Sequence, residues 1–234
     1  MPIQETNLLL SGIRIDEPVT VLTNLILSVF SFYFYIHLGK LKNIGTNLSR
    51  YWRLFFLFIA IANTIAAFAH GFKSYFNSHD YYYVWMFMNM AGIPASYFLL
   101  LTNLESAQIS QKTKNNLQYF AAVLTLSLVI FMYLINDISL VKVNAGLVIL
   151  ITLFAHLITY RKGIAGSKLI LRGFIISILT LFVHTMRLSL HDYFNYKDLS
   201  HVIMNIGLYV IFLGVVEVFL EVEAADALNS EEND

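Results

Sequence analysis

Residues 199–220 read LSHVIMNIGLYVIFLGVVEVFL, an apolar run in which Glu217 is the one charged residue. The hydrocarbon core of a bilayer is about 30 Å thick, so a helix needs about 20 such residues to cross it. The run is long enough to do so. It therefore predicts a transmembrane helix.

Six earlier stretches share this length and character. They cover residues 19–38, 54–72, 82–102, 117–135, 143–160 and 169–190. The connections between them are short, and no linker or repeat divides the chain. The sequence predicts an all-α integral membrane bundle of seven transmembrane helices in residues 1–220, followed by an acidic cytosolic tail in residues 221–234. Pro94 is expected to kink the third helix, since a neighbouring helix can satisfy the carbonyl that it frees.

The overall composition favours a membrane protein and excludes several kinds of site. Hydrophobic residues make up 58% of the chain and charged residues 13%, whereas about a quarter of a soluble domain is charged. The net charge is zero, which gives no indication of a nucleic-acid partner. Because the chain has no cysteine, disulfides and thiolate metal sites are excluded. The segment before residue 19 lacks the pattern of a cleaved signal, so the first apolar run is expected to be a retained helix.

Lysine and arginine are unevenly divided between the two sides of the predicted bundle. One side has ten of them: Lys40, Lys42, Arg50, Arg53, Lys112, Lys114, Arg161, Lys162, Lys168 and Arg172. The other side has five: Arg14, Lys73, Lys142, Arg187 and Lys197. Positive charge collects on the cytosolic side of membrane proteins. We therefore expect the N-terminus outside and the C-terminus in the cytosol.

Four polar residues from four helices are expected in the same outer third of the membrane. At 1.5 Å of rise per residue, His70 and His201 lie close to the outer ends of helices two and seven. Asn89 and His184 lie about 10 Å below the outer rim on the same scale. Strongly polar groups inside a bilayer tend to face the bundle interior and to mark function. A lone histidine near an interface is more often a hydrogen-bonded structural residue, so the argument depends on the matched depth of His70 and His201.

Helical spacing places further polar residues beside these four. Residues three, four or seven positions apart share one face of a helix. On this basis three faces are expected to converge in the bundle core: Asp198, His201 and Asn205; His184, Arg187 and His191; Asn63, His70 and Lys73.

The stretch from His201 to Tyr209, HVIMNIGLY, resembles the helix-seven pattern of alkaline ceramidases, a histidine followed by aliphatic residues and then Ile-Gly-x-Tyr. The preceding Asp198-Leu-Ser-His201 is similar to the Asp-x-x-His opening of uncharacterised bacterial relatives of those enzymes. Together with the helix count, these residues resemble the superfamily of alkaline ceramidases and adiponectin and progestin receptors. The resemblance implies a multi-pass protein of a bacterial inner membrane.

The resemblance also implies a zinc ion held by one histidine of helix two and two of helix seven. His70 and His201 take two of these positions, and Lys197 stands at the third. Ala66 replaces the usual serine, and Asn89 replaces the usual aspartate. The third ligand would then be Asp198, His184 or His191. Asp198 is preferred, because it lies three residues before His201.

Two functions follow as hypotheses. The first is a zinc-dependent hydrolase of a lipid amide or ester near the outer leaflet. Asn89 or Arg187 would steady the developing oxyanion, while Asn63 and Asn205 would contact the substrate. The alternative is a non-catalytic lipid-binding or receptor-like protein on the same scaffold, favoured by Ala66, Asn89 and Lys197. A homo-oligomer is left open. A retinal-type pump is excluded, because residues 199–220 contain no lysine to form a Schiff base. A small transporter is left open, although no inverted repeat or pair of broken helices indicates one.

Overall fold

The computed structural model describes residues 7–41, 46–191 and 193–231. Lys42, used above to orient the chain, lies outside the described residues, as do the ends of the chain at residues 1–6 and 232–234. The two strands of a short hairpin are β1 (Asn7–Leu10) and β2 (Ile13–Asp16). The helices are α1 (Pro18–Leu38), α2 (Asn47–Gly71), α3 (Ser78–Ala91), α4 (Ile93–Ser106), α5 (Gln111–Ile135), α6 (Ile138–Arg161), α7 (Ser167–Met186) and α8 (Tyr196–Glu231).

Seven helical segments of the described chain are long and apolar enough to cross a membrane, as predicted. Helices α3 and α4 together form the third of them, Ser78–Ser106. The kink expected at Pro94 is a break, because α3 ends at Ala91 and α4 begins at Ile93 with the proline in its first turn. Proline lacks an amide hydrogen and clashes with the carbonyl four residues earlier, so the preceding helix cannot continue through it.

The observed helix ends correct two of the expected polar faces. Helix α7 ends at Met186, and Arg187 follows in the left-handed conformation with φ 51°. His191 lies beyond it in a bridge with Phe194, so neither residue shares a helix face with His184. Helix α2 likewise ends at Gly71, and Lys73 begins a separate 3-10 turn. Hydropathy marks the apolar run but not the residue at which the backbone leaves the helix.

The β1–β2 hairpin lies where α1 begins, and we call this the hairpin end of the bundle. Its two-residue turn has φ 50° at Ser11 and φ 84° at Gly12, the positive values that tight hairpin turns require. Asp16 ties the hairpin to the loop after α2 by accepting a hydrogen bond of 2.7 Å from the Ser74 amide. The sequence argument did not foresee this hairpin, because two four-residue strands carry little periodic signal.

Helices α1 and α8 run side by side in the same direction with a constant offset in residue number. Thr20 contacts Asp198 and Thr23 contacts His201 at the hairpin end, each pair being 178 residues apart. Deeper in the bundle, the rings of Phe34 and Phe212 stack with centroids 4.2 Å apart. Polar pairs therefore occupy the hairpin end of this interface, and aromatic packing occupies its other end.

Helices α7 and α8 approach each other closely at four glycines: Gly166, Gly173, Gly207 and Gly214. A β-carbon on Gly173 would lie 2.7 Å from the Gly207 carbonyl oxygen, and one on Gly214 would lie 2.7 Å from the Gly166 carbonyl oxygen. Small residues at matched positions allow transmembrane helices to pack backbone against backbone. The α7–α8 pair is thereby held in one register.

We expect Gly173→Ala to destabilise the protein by about 1 to 3 kcal/mol, because the added methyl group overpacks this contact. The matched control is Gly146→Ala in α6, where a β-carbon would meet only the Leu181 side chain at an ordinary 3.7 Å. Thermal unfolding of both variants in detergent measures the difference. Equal unfolding midpoints for the two variants would contradict the close α7–α8 contact.

Candidate functional site

Glu17 stands at the start of α1 in an unusual backbone conformation. It is the residue before the helix and has φ 46° and ψ 54°, the left-handed region, although it is not glycine. Pro18 follows it. A non-glycine residue persists in this region only where its surroundings hold it there, and such strain is common at functional sites. The side-chain contacts of Glu17 supply that constraint.

Two side chains from distant parts of the chain meet one carboxylate oxygen of Glu17. The Lys197 ammonium donates a hydrogen bond of 2.7 Å to Glu17 Oε2. His70 Nδ1 lies 3.1 Å from the same oxygen, without the alignment of a directional hydrogen bond. The exposed fraction of the side chain is 9% for Glu17, 8% for His70 and 24% for Lys197. These three residues form a nearly buried ionic cluster that joins α1, α2 and α8, and we call it the Glu17 cluster.

The Glu17 cluster keeps its carboxylate ionised. Burial by itself raises the pKa of Glu17, but the nearby His70 imidazole and Lys197 ammonium outweigh it and lower that pKa to about 2. A carboxylate close to positive charge is stabilised in its charged form. Glu17 therefore carries a full negative charge at neutral pH.

Asp198 helps to form the beginning of α8. Its Oδ2 accepts a hydrogen bond of 2.8 Å from the Asn195 amide, while the Asn195 side chain accepts one from the Lys197 amide. This exchange is a capping box, which satisfies amide groups left free at a helix start. The other oxygen, Asp198 Oδ1, accepts a hydrogen bond of 2.6 Å from the Thr20 hydroxyl. Both carboxylate oxygens of Asp198 are thus engaged, one in capping α8 and the other in joining α8 to α1.

His201 faces α1 through its Nδ1 atom. This nitrogen lies 3.2 Å from Thr23 Oγ1 and 3.4 Å from Asn24 Nδ2. The amide of Asn24 is oriented by a hydrogen bond of 2.8 Å from the same Nδ2 to the Thr20 carbonyl. An amide nitrogen can only donate. Asn24 Nδ2 can therefore donate to His201 Nδ1, while the Thr23 hydroxyl donates to the Thr20 carbonyl at 3.1 Å.

The residues present do not fit the zinc ion that the resemblance implies. His70 faces a carboxylate already paired with the Lys197 ammonium, and His201 turns its Nδ1 to Thr23 and Asn24. Asp198, the preferred third ligand, has hydrogen bonds on both oxygens. No three histidine, aspartate or glutamate side chains in the described part of the chain come together as a metal ion would require. We derive no chemical step through zinc.

His184 and Asn89, two of the predicted residues, line a cavity of about 410 Å³. The cavity lies between the α3–α4 break, α6, α7 and α8, and His201 and Ser200 also line it. Its volume is within the range of about 300 to 1,000 Å³ found for small-molecule sites. Three of the four residues that the sequence placed at one depth therefore share a cavity, while His70 belongs to the Glu17 cluster.

The cavity is polar at the hairpin end and apolar farther inside. Lys142 lines it near the start of α6, and Ile149 lines it about 10 Å deeper along the same helix. Helix α7 shows the same order, with His184 near its end and Ile178 deeper. The side-chain hydroxyls of Ser177, Thr180 and Ser200 donate to helix carbonyls. They therefore add little polarity to the cavity wall.

Two polar atoms at the polar end of this cavity are buried and lack a hydrogen-bond partner within the described ranges. They are Asn89 Nδ2 and His184 Nδ1. A buried polar group without a partner costs about 1 to 3 kcal/mol, so such atoms call for a partner from outside the chain. The amide nitrogen of Asn89 is a donor. It would be satisfied by an acceptor such as a carbonyl oxygen.

The other predicted residues lie apart from the cavity lining. Arg187 is exposed after the end of α7. Asn63 and Asn205 each donate to the carbonyl four residues earlier in their own helix, at 2.8 and 3.0 Å. Arg187 was predicted to steady the oxyanion because the sixth predicted helix, residues 169–190, includes it.

The sequence patterns do not single out Glu17 or the partners of His201 on α1. Glu17 precedes the first apolar run, and Thr20, Thr23 and Asn24 lie within it. A signal was present: Thr20, Thr23, Asn24 and Ser28 recur at helical spacing on one side of α1. Such a polar stripe in a membrane helix indicates a face turned toward other helices.

We expect Glu17→Gln and Lys197→Met each to destabilise the protein by about 3 kcal/mol, because each leaves an almost buried charge without its partner. The loss of stability in the double variant should be clearly smaller than the sum of the losses in the two single variants. Unfolding in detergent across the four proteins measures this coupling. Lys162→Met, which removes an exposed ammonium, is the control and should change stability by no more than about 0.5 kcal/mol. Additive losses would show that the ion pair is not coupled.

The Glu17 cluster should also make stability depend on acidity. The pKa of Glu17 falls from 4.5 to about 2 on folding, so its contribution is complete above pH 4.5 and is lost as the pH falls toward 2. Glu17→Gln removes this contribution at every pH. Over that interval the unfolding midpoint should therefore drop more steeply in the wild type than in Glu17→Gln. Parallel pH profiles would contradict the depressed pKa.

Comparison with known proteins places the chain in a family without assigning an activity. No curated protein and no solved structure matches the sequence. One family matches residues 19–218, a range that takes in nearly all of the seven membrane-length segments. The chain belongs to that family, which is described as a family of unknown function (DUF6962).

Proposed function

We propose that the protein is a multi-pass membrane protein that binds a membrane lipid in the cavity between α3, α6, α7 and α8, and that it does so without catalysis. The observation that carries this proposal is the graded lining of the cavity. Its polar end holds Asn89 and His184, and its inner part is aliphatic. A lipid has the same division into a polar group and an apolar chain.

The lipid group that fits the polar end is the carbonyl of an amide or ester. Asn89 Nδ2 is buried and lacks a partner, and a carbonyl oxygen would accept its hydrogen bond. Lys142 and His184 line the same end; Lys142 can donate a hydrogen bond to the rest of the polar group, and His184 can accept or donate one. The acyl chain would then lie along Ile149, Ile178 and Met204.

A groove on the outside of the bundle supports entry of the lipid from the bilayer. This groove lies between α6 and α7 and shares Lys142, Gly146, Leu150 and Leu181 with the cavity lining. Cavity and groove therefore adjoin along the α6–α7 interface. A chain could pass between them without leaving apolar surroundings.

The same proposal includes the orientation of the protein. Among the described residues, nine lysine and arginine side chains lie toward one end of the bundle and five lie at the hairpin end. By the positive-inside rule the hairpin end then faces outward. The polar end of the cavity would lie near the outer leaflet.

The zinc hydrolase stays a prediction, and the geometry supports it less well than lipid binding. Hydrolysis needs an activated water and a group that can remove its proton. Asn89 cannot act as a base, and the Glu17 carboxylate is paired with the Lys197 ammonium. The imidazole of His184 can accept a proton, but no set of metal ligands in the described part of the chain accompanies it to activate a water. The alternative named from the sequence, a non-catalytic lipid-binding protein, is therefore the one that we carry forward.

Three probes of one chain length test the proposal: oleamide, methyl oleate and the corresponding alkene. We expect purified protein in lipid nanodiscs to bind the amide and the ester more tightly than the alkene. Asn89→Leu should weaken binding of the amide and the ester by about tenfold, because one hydrogen bond is lost, and should leave the alkene unchanged. Equilibrium binding of radiolabelled probes measures these differences.

Matched variants on α6 provide the control. Ala145 lines the cavity, so Ala145→Phe should weaken binding of all three probes. Ile151 is half exposed on the outside of the same helix, and Ile151→Phe should leave the binding of all three probes unchanged. Unchanged binding by Ala145→Phe would refute the cavity as the site. Release of free oleate from methyl oleate would refute the absence of catalysis.

A further inference from the structure

The Glu17 cluster lies outside the lipid cavity and has no part in the proposed binding of lipid. None of its members lines that cavity. It combines a carboxylate and an imidazole, whose nearest atoms are 3.1 Å apart, in a nearly buried position. Carboxylate oxygen and imidazole nitrogen are common ligands of zinc and similar divalent ions. Two such groups so close together form part of a cation site.

The structure also shows which cation the cluster holds. The Lys197 ammonium lies 2.7 Å from Glu17 Oε2, the same oxygen that faces His70. It donates its hydrogen bond from the first turn of α8 to the residue before α1. A divalent ion placed on this oxygen would meet the charge of the ammonium at short range, which is strongly unfavourable in a buried site.

We propose that the Lys197 ammonium is the built-in cation of this site and makes the protein independent of a metal ion there. Its removal leaves a buried carboxylate and imidazole without a cation. The site then becomes one for a divalent transition-metal ion such as zinc. At the Glu17 cluster, the misfit with zinc thus comes from one side chain in a metal-compatible setting.

Helix geometry indicates how to complete the latent site. Residue 197 lies four positions before His201 in α8, so an imidazole introduced there would lie on the same helix face as His201. Lys197→His therefore removes the ammonium and adds a nitrogen ligand to Glu17 and His70. The chain has no cysteine to compete for the metal.

Thermal unfolding with and without zinc tests the proposal. In the presence of a chelator, Lys197→His should unfold at a lower temperature than the wild type. Zinc at about a hundredfold above its dissociation constant should raise the midpoint of this variant by about 5 to 10 °C. The wild type should not respond to zinc. Adding Glu17→Gln or His70→Ala to Lys197→His should abolish the stabilisation by zinc. This control distinguishes the cluster from weak zinc binding at exposed histidines such as His79.

Metal analysis of the wild type provides an independent test. We expect the purified wild type to carry no zinc that depends on His70. Zinc bound to the wild type and lost in His70→Ala would overturn the proposal, because the ammonium would then not replace the metal. A folded Lys197→His variant that zinc does not stabilise would also overturn it.

A second variant keeps the test valid if Lys197→His cannot be purified. Lys197→Met removes the charge and keeps most of the side-chain volume. Zinc should stabilise this variant more weakly than Lys197→His, because only Glu17 and His70 then supply ligands from the cluster. No response of Lys197→Met to zinc would count against the proposal. None of these measurements involves lipid, so their failure is distinguishable from failure of the proposed lipid binding.

Discussion

Polar side chains in membrane-length helices must find their partners inside the bundle, because hydrocarbon offers none. This constraint organises the hairpin end of the protein. Helix α1 turns Thr20, Thr23 and Asn24 toward α8, where Asp198 and His201 meet them. Buried polar groups of the two helices thus meet one another. The relative position of α1 and α8 is thereby set by hydrogen bonds at one end and by the stacked rings of Phe34 and Phe212 at the other.

Packing is uneven around the bundle, and this unevenness positions the cavity. Helix α8 lies against α7 through glycines that bring the two backbones together. By contrast, α5 buries only Ala121 and Met132, and α6 buries only Val148, Thr152 and His156. Close packing on one side and loose packing on the other leave a space between α6, α7 and the break in the third span. The same break ends α3 just after Asn89, whose amide therefore lies at the wall of that space.

The hairpin end thus contains two polar sites of different character. The Glu17 cluster is charged, and its carboxylate is paired with the Lys197 ammonium. The cavity wall is mostly apolar, and its Asn89 and His184 atoms lack partners. Charged groups that are already paired contribute little to the recognition of a ligand. Unpaired donors and acceptors discriminate between ligands, because a ligand that does not match them leaves them buried and without a hydrogen bond. This contrast is the physical reason for placing lipid binding in the cavity and a structural cation in the cluster.

The sequence by itself determined the number of membrane-length helices and the depth of the polar residues. Both follow from local properties, namely the length of an apolar run and the rise of a helix per residue. They suffice to place Asn89, His184 and His201 in the same third of the bundle, where the three residues line one cavity. They also suffice to predict an interruption at Pro94, since proline acts on its own helix.

Only the tertiary structure decided which groups are partners. Depth does not say how each helix is rotated, so the sequence paired His70 with His201, whereas the fold pairs His70 with Glu17 and His201 with Thr23 and Asn24. The resemblance implies Asp198 as a metal ligand, whereas in the fold one of its oxygens caps α8 and the other accepts from Thr20 of α1. The pairings between α1 and α8 connect residues nearly 180 positions apart and depend on the α1–α8 packing, which no local pattern specifies. The sequence shows that Lys197 is charged, but only the fold places its ammonium within hydrogen-bond distance of the Glu17 carboxylate.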